Sequence, residues 1–217
     1  MNMEGVCPNC NSVIKKGLTK SVTLFSSKQN TFVKEFVKTD AKEFCSRCGR
    51  QLFDQAQNAL MSEINGINDQ LGKLVNFIPV ISIHMPHKWD YEVIGMVTGQ
   101  ATTGTGVFAE FASSFTDFFG TQSKTYNKKL MHGENLSFAQ ARLKAIDLGA
   151  NAVIATDIDY AEVGGGKGML MVCVNGTAVL LKNPEVLGDV VSAKLKEITT
   201  KVQRKKYLLD NYSEYYN

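Results

Sequence analysis

The feature that most constrains this 217-residue chain is a pair of Cys-x-x-Cys motifs near its N-terminus. The first is Cys7-Pro-Asn-Cys10 and the second is Cys45-Ser-Arg-Cys48, with 34 residues between them and Gly49 directly after the second. A Cys-x-x-Cys turn lets two thiolates reach one ion, and two such turns supply the four sulfur ligands of a structural zinc site. We therefore predict that Cys7, Cys10, Cys45 and Cys48 bind one Zn²⁺ per chain.

The segment between the two motifs predicts a β-hairpin. Ser21–Ser26 and Thr31–Lys38 are rich in Val, Thr and Phe, and Ser27–Asn30 has the composition of a turn. A hairpin between two cysteine turns resembles a zinc ribbon, in which the metal replaces a core that about fifty residues could not build unaided. Two alternatives stay open. A pair of disulfides is disfavoured in a reducing compartment, and a redox motif would leave one cysteine pair unexplained.

Charge and hydropathy narrow the class of protein. The chain is 44% hydrophobic, which indicates a folded protein and excludes a disordered one. It has no run of about 18 apolar residues, so we expect no membrane insertion. The net charge is only +3, and no region has the dense basic excess of a dedicated nucleic-acid domain. The first residues lack a basic segment followed by an apolar one, so we expect no secretory signal and a cytoplasmic location.

The spacing of apolar residues predicts the elements of the remaining chain. Leu52–Val75 has a helical stripe, and a second stripe begins after Pro184. Between them the pattern predicts a strand, a phenylalanine-rich helix, a longer helix and an antiparallel pair of strands, at Tyr91–Thr98, about 108–119, Thr121–Leu148, Ala152–Tyr160 and Gly168–Leu181. This order predicts an α+β fold. The expected domains are a ribbon (1–51), a helical connector (52–88), an α+β domain (89–182) and a C-terminal helix with tail (183–217).

Several short motifs in the α+β domain occur together in one known family. They are Val97-Thr-Gly-Gln-Ala, Phe118-Phe-Gly120, Leu148-Gly-Ala-Asn-Ala-Val153, Asp157-Ile-Asp-Tyr160, Gly168-Met-Leu-Met-Val172 and Asn175-Gly-Thr-Ala-Val179. As an ordered set over about residues 89–182, they resemble the YbjQ-like family, whose label is heavy-metal binding. The resemblance implies a small β-α-β-β unit that assembles as a ring-shaped homopentamer. It implies no catalytic residue.

Six side chains form a possible second metal site. Paired carboxylates on one side of a strand can hold Mg²⁺ or Ca²⁺, and thioethers with a thiol are soft ligands of the kind Cu(I) prefers. The same acids can simply end a strand at a solvated rim, and methionine and free cysteine are ordinary core residues. The residues concerned are Asp157, Asp159, Met169, Met171, Cys173 and Glu110.

These patterns predict a protein without catalytic activity, because no Ser-His-Asp or Cys-His arrangement can be argued from three histidines. The leading hypothesis is a homo-oligomeric scaffold that displays zinc ribbons multivalently to a protein partner that the sequence does not identify. One alternative is a heavy-metal-binding or metal-sensing protein. Another is nucleic-acid binding through the ribbons, although their basic side chains are equally typical of a solvated surface.

Overall fold

The computed structural model describes residues 5–14, 22–103, 121–163 and 169–216. These residues form two compact units. Unit 1 comprises the described residues of Met1–Asp69 and Arg204–Asn217, and unit 2 comprises those of Gln70–Gln203. The boundary between the units falls within two long helices, α2 (Arg50–Leu74) and α4 (Asp189–Tyr212). No helix of the described residues has an 18-residue stretch apolar enough to cross a membrane.

Unit 1 corrects the predicted hairpin, because Ser27–Phe36 is a helix, α1. The turn-like composition of Ser27–Asn30 is in fact the first turn of this helix. Ser26 is its N-cap: Gln29 donates its backbone N–H to Ser26 Oγ at 3.2 Å, and Ser26 donates its own to Gln29 Oε1 at 2.9 Å. This reciprocal capping box satisfies two backbone donors that a helix start otherwise leaves free. The prediction of two strands here was wrong.

The core of unit 1 is aromatic. Phe32 and Phe44 are fully buried. The tail of the chain completes this core, since the Phe32 ring lies 4.5 Å from that of Tyr215 and 5.1 Å from that of Tyr212, centroid to centroid. Phe53 of α2 also packs on Phe32, at 5.2 Å. Residues more than 150 positions apart therefore share one small core.

Unit 2 has the predicted α+β order. Its three strands are β1 (Tyr91–Thr103), β2 (Ala152–Val163) and β3 (Met169–Leu181), and they form one antiparallel sheet in the order β1-β3-β2. Helix α3 (Thr121–Asp147) precedes β2 and packs on one face of the sheet. The expected phenylalanine-rich helix, with Glu110, lies outside the described residues, as does the connection between β2 and β3.

The start of β2 has a neighbour that the sequence did not predict. Ile81 donates its N–H to Val153 O at 3.0 Å, and Val153 donates to Pro79 O at 2.9 Å, so this short segment runs parallel to β2. A bulge follows in β2, where Ala155 has a φ of +52°. The bulge points the N–H of Ala155 at Ile83 O, 3.1 Å away, which extends this pairing.

Candidate metal centre

The four predicted cysteine ligands converge in unit 1. Their Sγ atoms all lie within 4.8 Å of one another. Three pairs are 3.7 Å apart: Cys7 with Cys48, Cys10 with Cys45, and Cys45 with Cys48. A tetrahedral ion with metal–sulfur distances of about 2.3 Å places its ligands about 3.8 Å apart. The cluster therefore has the dimensions of a four-thiolate metal site.

Backbone hydrogen bonds shape the first cysteine turn. Asn11 donates its N–H to Cys7 O, and Cys7 donates its N–H to Ser12 O, both at 2.9 Å. This double contact closes a tight loop, and Asn11 takes the left-handed conformation (φ +55°) that such a loop requires. Asparagine tolerates that conformation better than most residues. The loop turns both Cys7 and Cys10 towards the second motif.

The second cysteine turn is anchored in the aromatic core. Cys45 forms an isolated antiparallel bridge with Leu24, and Gly49 donates its N–H to Cys45 O at 2.8 Å. Gly49 is needed for space, since a Cβ there would lie 2.7 Å from a carbon of the Phe25 ring and 2.8 Å from Phe44 Cβ. Gly49 therefore lets the aromatic core pack closely against the second motif.

The four thiols differ in their access to solvent. Cys7 and Cys45 are fully buried, Cys48 is half-buried and Cys10 is exposed. Two polar side chains that sequence analysis passed over lie at the open side. Ser12 Oγ is 3.2 Å from Cys10 Sγ, and Asn9 donates its side-chain N–H to Cys48 Sγ at 3.5 Å. Their positions inside and just after the first motif were the signal that could have identified them.

The thiol pKa values diverge with these environments. The hydrogen bond with the Ser12 hydroxyl, helped by the Ser12 backbone, lowers the pKa of Cys10 to about 6. Burial raises the pKa of Cys48 to about 11. Burial also opposes ionisation of Cys7, but the backbone N–H groups of Cys10 and Asn9 outweigh it and bring the pKa of Cys7 below its ordinary value. A cation bound among the four sulfurs would favour thiolate at every position.

The possible second site lies on the sheet of unit 2, apart from Glu110. The register pairs Asp159 with Cys173, and Ala161 with Met171, so these side chains share the sheet face opposite α3. Asp157 and Asp159 are exposed, and Met169, Met171 and Cys173 are half-buried. Among the described residues, the four N-terminal cysteines are the one group of three or more His, Cys, Asp and Glu side chains close enough to hold a metal ion. A second metal site on this face stays a prediction.

Comparison with known proteins places unit 2 in a family. Residues 80–182 match the YbjQ family model, whose description is "Putative heavy-metal-binding". The UPF0145 protein of Acetivibrio thermocellus is 40% identical over 91 residues, which are 42% of this chain and 86% of that protein. The chain belongs to the YbjQ-like UPF0145 family. A second UPF0145 protein, from Clostridium botulinum, is 40% identical over 88 residues, or 41% of this chain and 83% of that protein.

The YbjQ-like match and the cysteine cluster occupy different parts of the chain. The matched range begins at residue 80, after all four clustered cysteines. A solved structure from Pediococcus pentosaceus, a DUF74-family protein of unknown function, is similar at 13% identity and a TM-score of 0.33, covering 48% of this chain and 98% of that one. In this YbjQ-like protein the cysteine cluster thus lies outside the matched segment, and both the cluster and the family description fit metal binding.

Proposed function

We propose that this protein is a non-enzymatic, homo-oligomeric scaffold that binds one Zn²⁺ per chain and displays its cysteine module in several copies to a protein partner. The observation that carries the proposal is the cluster of four cysteine sulfurs with 3.7 Å separations. Zinc prefers four thiolates in this tetrahedral arrangement. With four protein ligands, no position remains for the water that catalytic zinc uses.

The metal would have a structural role. The described part of unit 1 has a small aromatic core, and Cys7 is the one buried side chain of the first cysteine motif. Domains of this size gain stability from a metal that ties distant turns together. Zinc would join the first motif to the second, whose Cys45 is anchored beside Phe44. Removal of the zinc should therefore loosen the first motif before the rest of the unit.

Self-association is supported by the free edge of the sheet in unit 2. Strand β1 pairs with β3 alone among the described strands, so its other side presents backbone donors and acceptors. Two large apolar side chains on this strand are exposed, Met96 at 73% and Val93 at 62%. Pairing with another copy would cover them. Several linked modules would then bind a partner with avidity, since each engagement raises the effective concentration of the next.

Native mass spectrometry of the full chain, with and without a chelator, tests both parts of the proposal. We expect one zinc per chain and more than one chain per assembly. Cys45→Ser should lose the zinc, while Cys173→Ser, which changes a cysteine outside the cluster, should keep it. The metal site would be refuted by a wild-type protein that holds no zinc, or by a Cys45→Ser variant that still holds one zinc per chain.

A second pair of variants tests the assembly. Met96→Lys places a charge on the free edge strand, whereas Met131→Lys makes the same change at a side chain of α3 that is 57% exposed. We expect the first to reduce the subunit number and the second to leave it unchanged. A wild-type protein that is monomeric at micromolar concentration would rule out the multivalent scaffold while leaving the zinc site intact.

A further inference from the structure

The four thiols of the cluster differ in their exposure to solvent, so an oxidant in solution reaches one of them more easily than the others. Cys10 is exposed, Cys48 is half-buried, and Cys7 and Cys45 have no exposed surface. We propose that Cys10 is the site at which a peroxide oxidises this protein, and that a disulfide between Cys10 and Cys45 is the first stable product. The proposal rests on the proposed function, since oxidation would then release the zinc.

Geometry selects Cys45 as the resolving thiol. Its sulfur lies 3.7 Å from Cys10 Sγ and is itself inaccessible to solvent. A disulfide needs a separation of about 2.05 Å, so the two sulfurs must approach by less than about 2 Å. Oxidation-sensitive thiols are typically exposed and often lie next to a second cysteine that resolves the oxidised form. Cys10 and Cys45 meet both conditions and come from different motifs.

The chemistry balances with a peroxide as the oxidant. The Cys10 thiolate attacks one peroxide oxygen, the O–O bond breaks, and hydroxide leaves, which gives a sulfenic acid on Cys10. The Cys45 thiolate then attacks Cys10 Sγ, the S–O bond breaks, a second hydroxide leaves, and the S–S bond forms. Two thiolates lose two electrons in total, and hydrogen peroxide gains them. The disulfide removes two of four ligands, so metal affinity falls until a thiol reductant restores them.

The sequence makes the product easy to identify. Trypsin cleaves after Arg47, which separates Cys45 from Cys48, and after Lys15, which leaves Cys7 and Cys10 on one N-terminal peptide. Fragmentation of that peptide between its two cysteines distinguishes them. Cys173 provides an internal reference in the same digest, because it is half-buried and lies outside the cluster.

The test treats the full-length, zinc-loaded protein with one equivalent of hydrogen peroxide, follows zinc with a chromophoric chelator, and maps disulfides by mass spectrometry. We expect a Cys10–Cys45 linkage to appear together with zinc release, before Cys173 is modified. Cys10→His keeps a zinc ligand but cannot form the disulfide, so zinc release should slow by about tenfold or more. Asn58→His, which adds an imidazole at an exposed position of α2 outside the cluster, should release zinc at the wild-type rate.

Two results would overturn the inference. One is a first linkage between Cys45 and Cys48, or between Cys7 and Cys48, and the other is unchanged zinc release from a Cys10→His variant that has bound its metal. The metal content before oxidation tests the proposed function separately. If no zinc is present, that function fails, and the disulfide map of the same sample still decides whether Cys10 and Cys45 react first.

Discussion

A methyl group added at Gly99 should disrupt the packing of α3 on the sheet of unit 2. Its Cβ would lie 1.8 Å from the carbonyl oxygen of Ser137 and 3.1 Å from the backbone nitrogen of Ala141. Both atoms belong to the helix backbone, so no side-chain rotation relieves the contact. Real Cβ atoms essentially never approach within 3.0 Å, so the helix must shift by about 1.2 Å. Gly99 lies in β1 and has no positive φ, so its backbone conformation would suit any residue. Glycine is required there because there is no room for a Cβ.

The cost of this shift follows from the contacts it disturbs. Ser137 donates its hydroxyl to Val172 O at 3.0 Å in a fully buried position, and Gln100 donates its N–H to Gln140 Oε1 at 3.0 Å. Overpacking costs about 1–3 kcal/mol, and a buried polar group left without its partner costs about 1–3 kcal/mol more. We therefore expect Gly99→Ala to lower the free energy of unfolding by about 2–6 kcal/mol, a large fraction of a typical total.

Urea and thermal unfolding measure this effect, with the fluorescence of Trp89, the one tryptophan of the chain, as the probe for unit 2. Gly72→Ala is the matched control, because a Cβ there meets nothing within 4 Å and alanine favours a helix interior. It should stabilise by about 0.5–1 kcal/mol. If the free energy of unfolding of Gly99→Ala is within about 0.5 kcal/mol of the wild-type value, the inference that α3 can pack here only against a residue without a side chain is wrong.

Three further predictions concern unit 1 and the β2 bulge. Chelation should expose Tyr212 and Tyr215, because they pack in the core that also anchors the second cysteine motif; tyrosine difference absorbance would detect this, and an unchanged spectrum would contradict it. Burial raises the pKa of both tyrosines to about 12 from 10.0. The folded state therefore favours the neutral phenols. The free energy of unfolding should be constant below about pH 10 and fall as the pH rises towards 12, which a decrease in the urea midpoint would measure. Finally, Ala155→Gly should raise stability by about 1 kcal/mol, since only glycine adopts a φ of +52° without cost; a lower melting temperature would count against this.

The cysteine cluster could be predicted from sequence because the geometry of each cysteine pair is local. Each Cys-x-x-Cys turn presents two sulfurs through its own backbone, so only the meeting of two turns had to be inferred. The elements of unit 2 were predictable for a similar reason. Their periodicities are long and regular, and the strands at Ala152–Val163 and Met169–Leu181 and the helix at Thr121–Asp147 match the predicted positions closely.

The hairpin prediction failed because two local signals competed. The Val, Thr and Phe content of Thr31–Lys38 favours a strand, whereas Ser26 and Gln29 form a capping box that favours a helix start. Tertiary burial decided between them. Three residues of α1 are buried: Asn30, Phe32 and Val33. The contribution of Tyr212 and Tyr215 to the same core is non-local, and no periodicity could have revealed it.

The four cysteines converge although the element between the two motifs was predicted wrongly, and Asn30 shows why. Its side chain donates to Phe25 O at 3.2 Å and accepts the N–H of Phe44 at 3.1 Å. These two residues adjoin Leu24 and Cys45, which form the bridge that places the second motif. One buried amide thus ties the segment before α1 to the segment that carries the second motif, beside the backbone bond from the Phe25 N–H to Phe44 O at 2.8 Å. What the site requires is that these segments be held side by side, and a capped helix with one satisfied polar group achieves this as well as a hairpin.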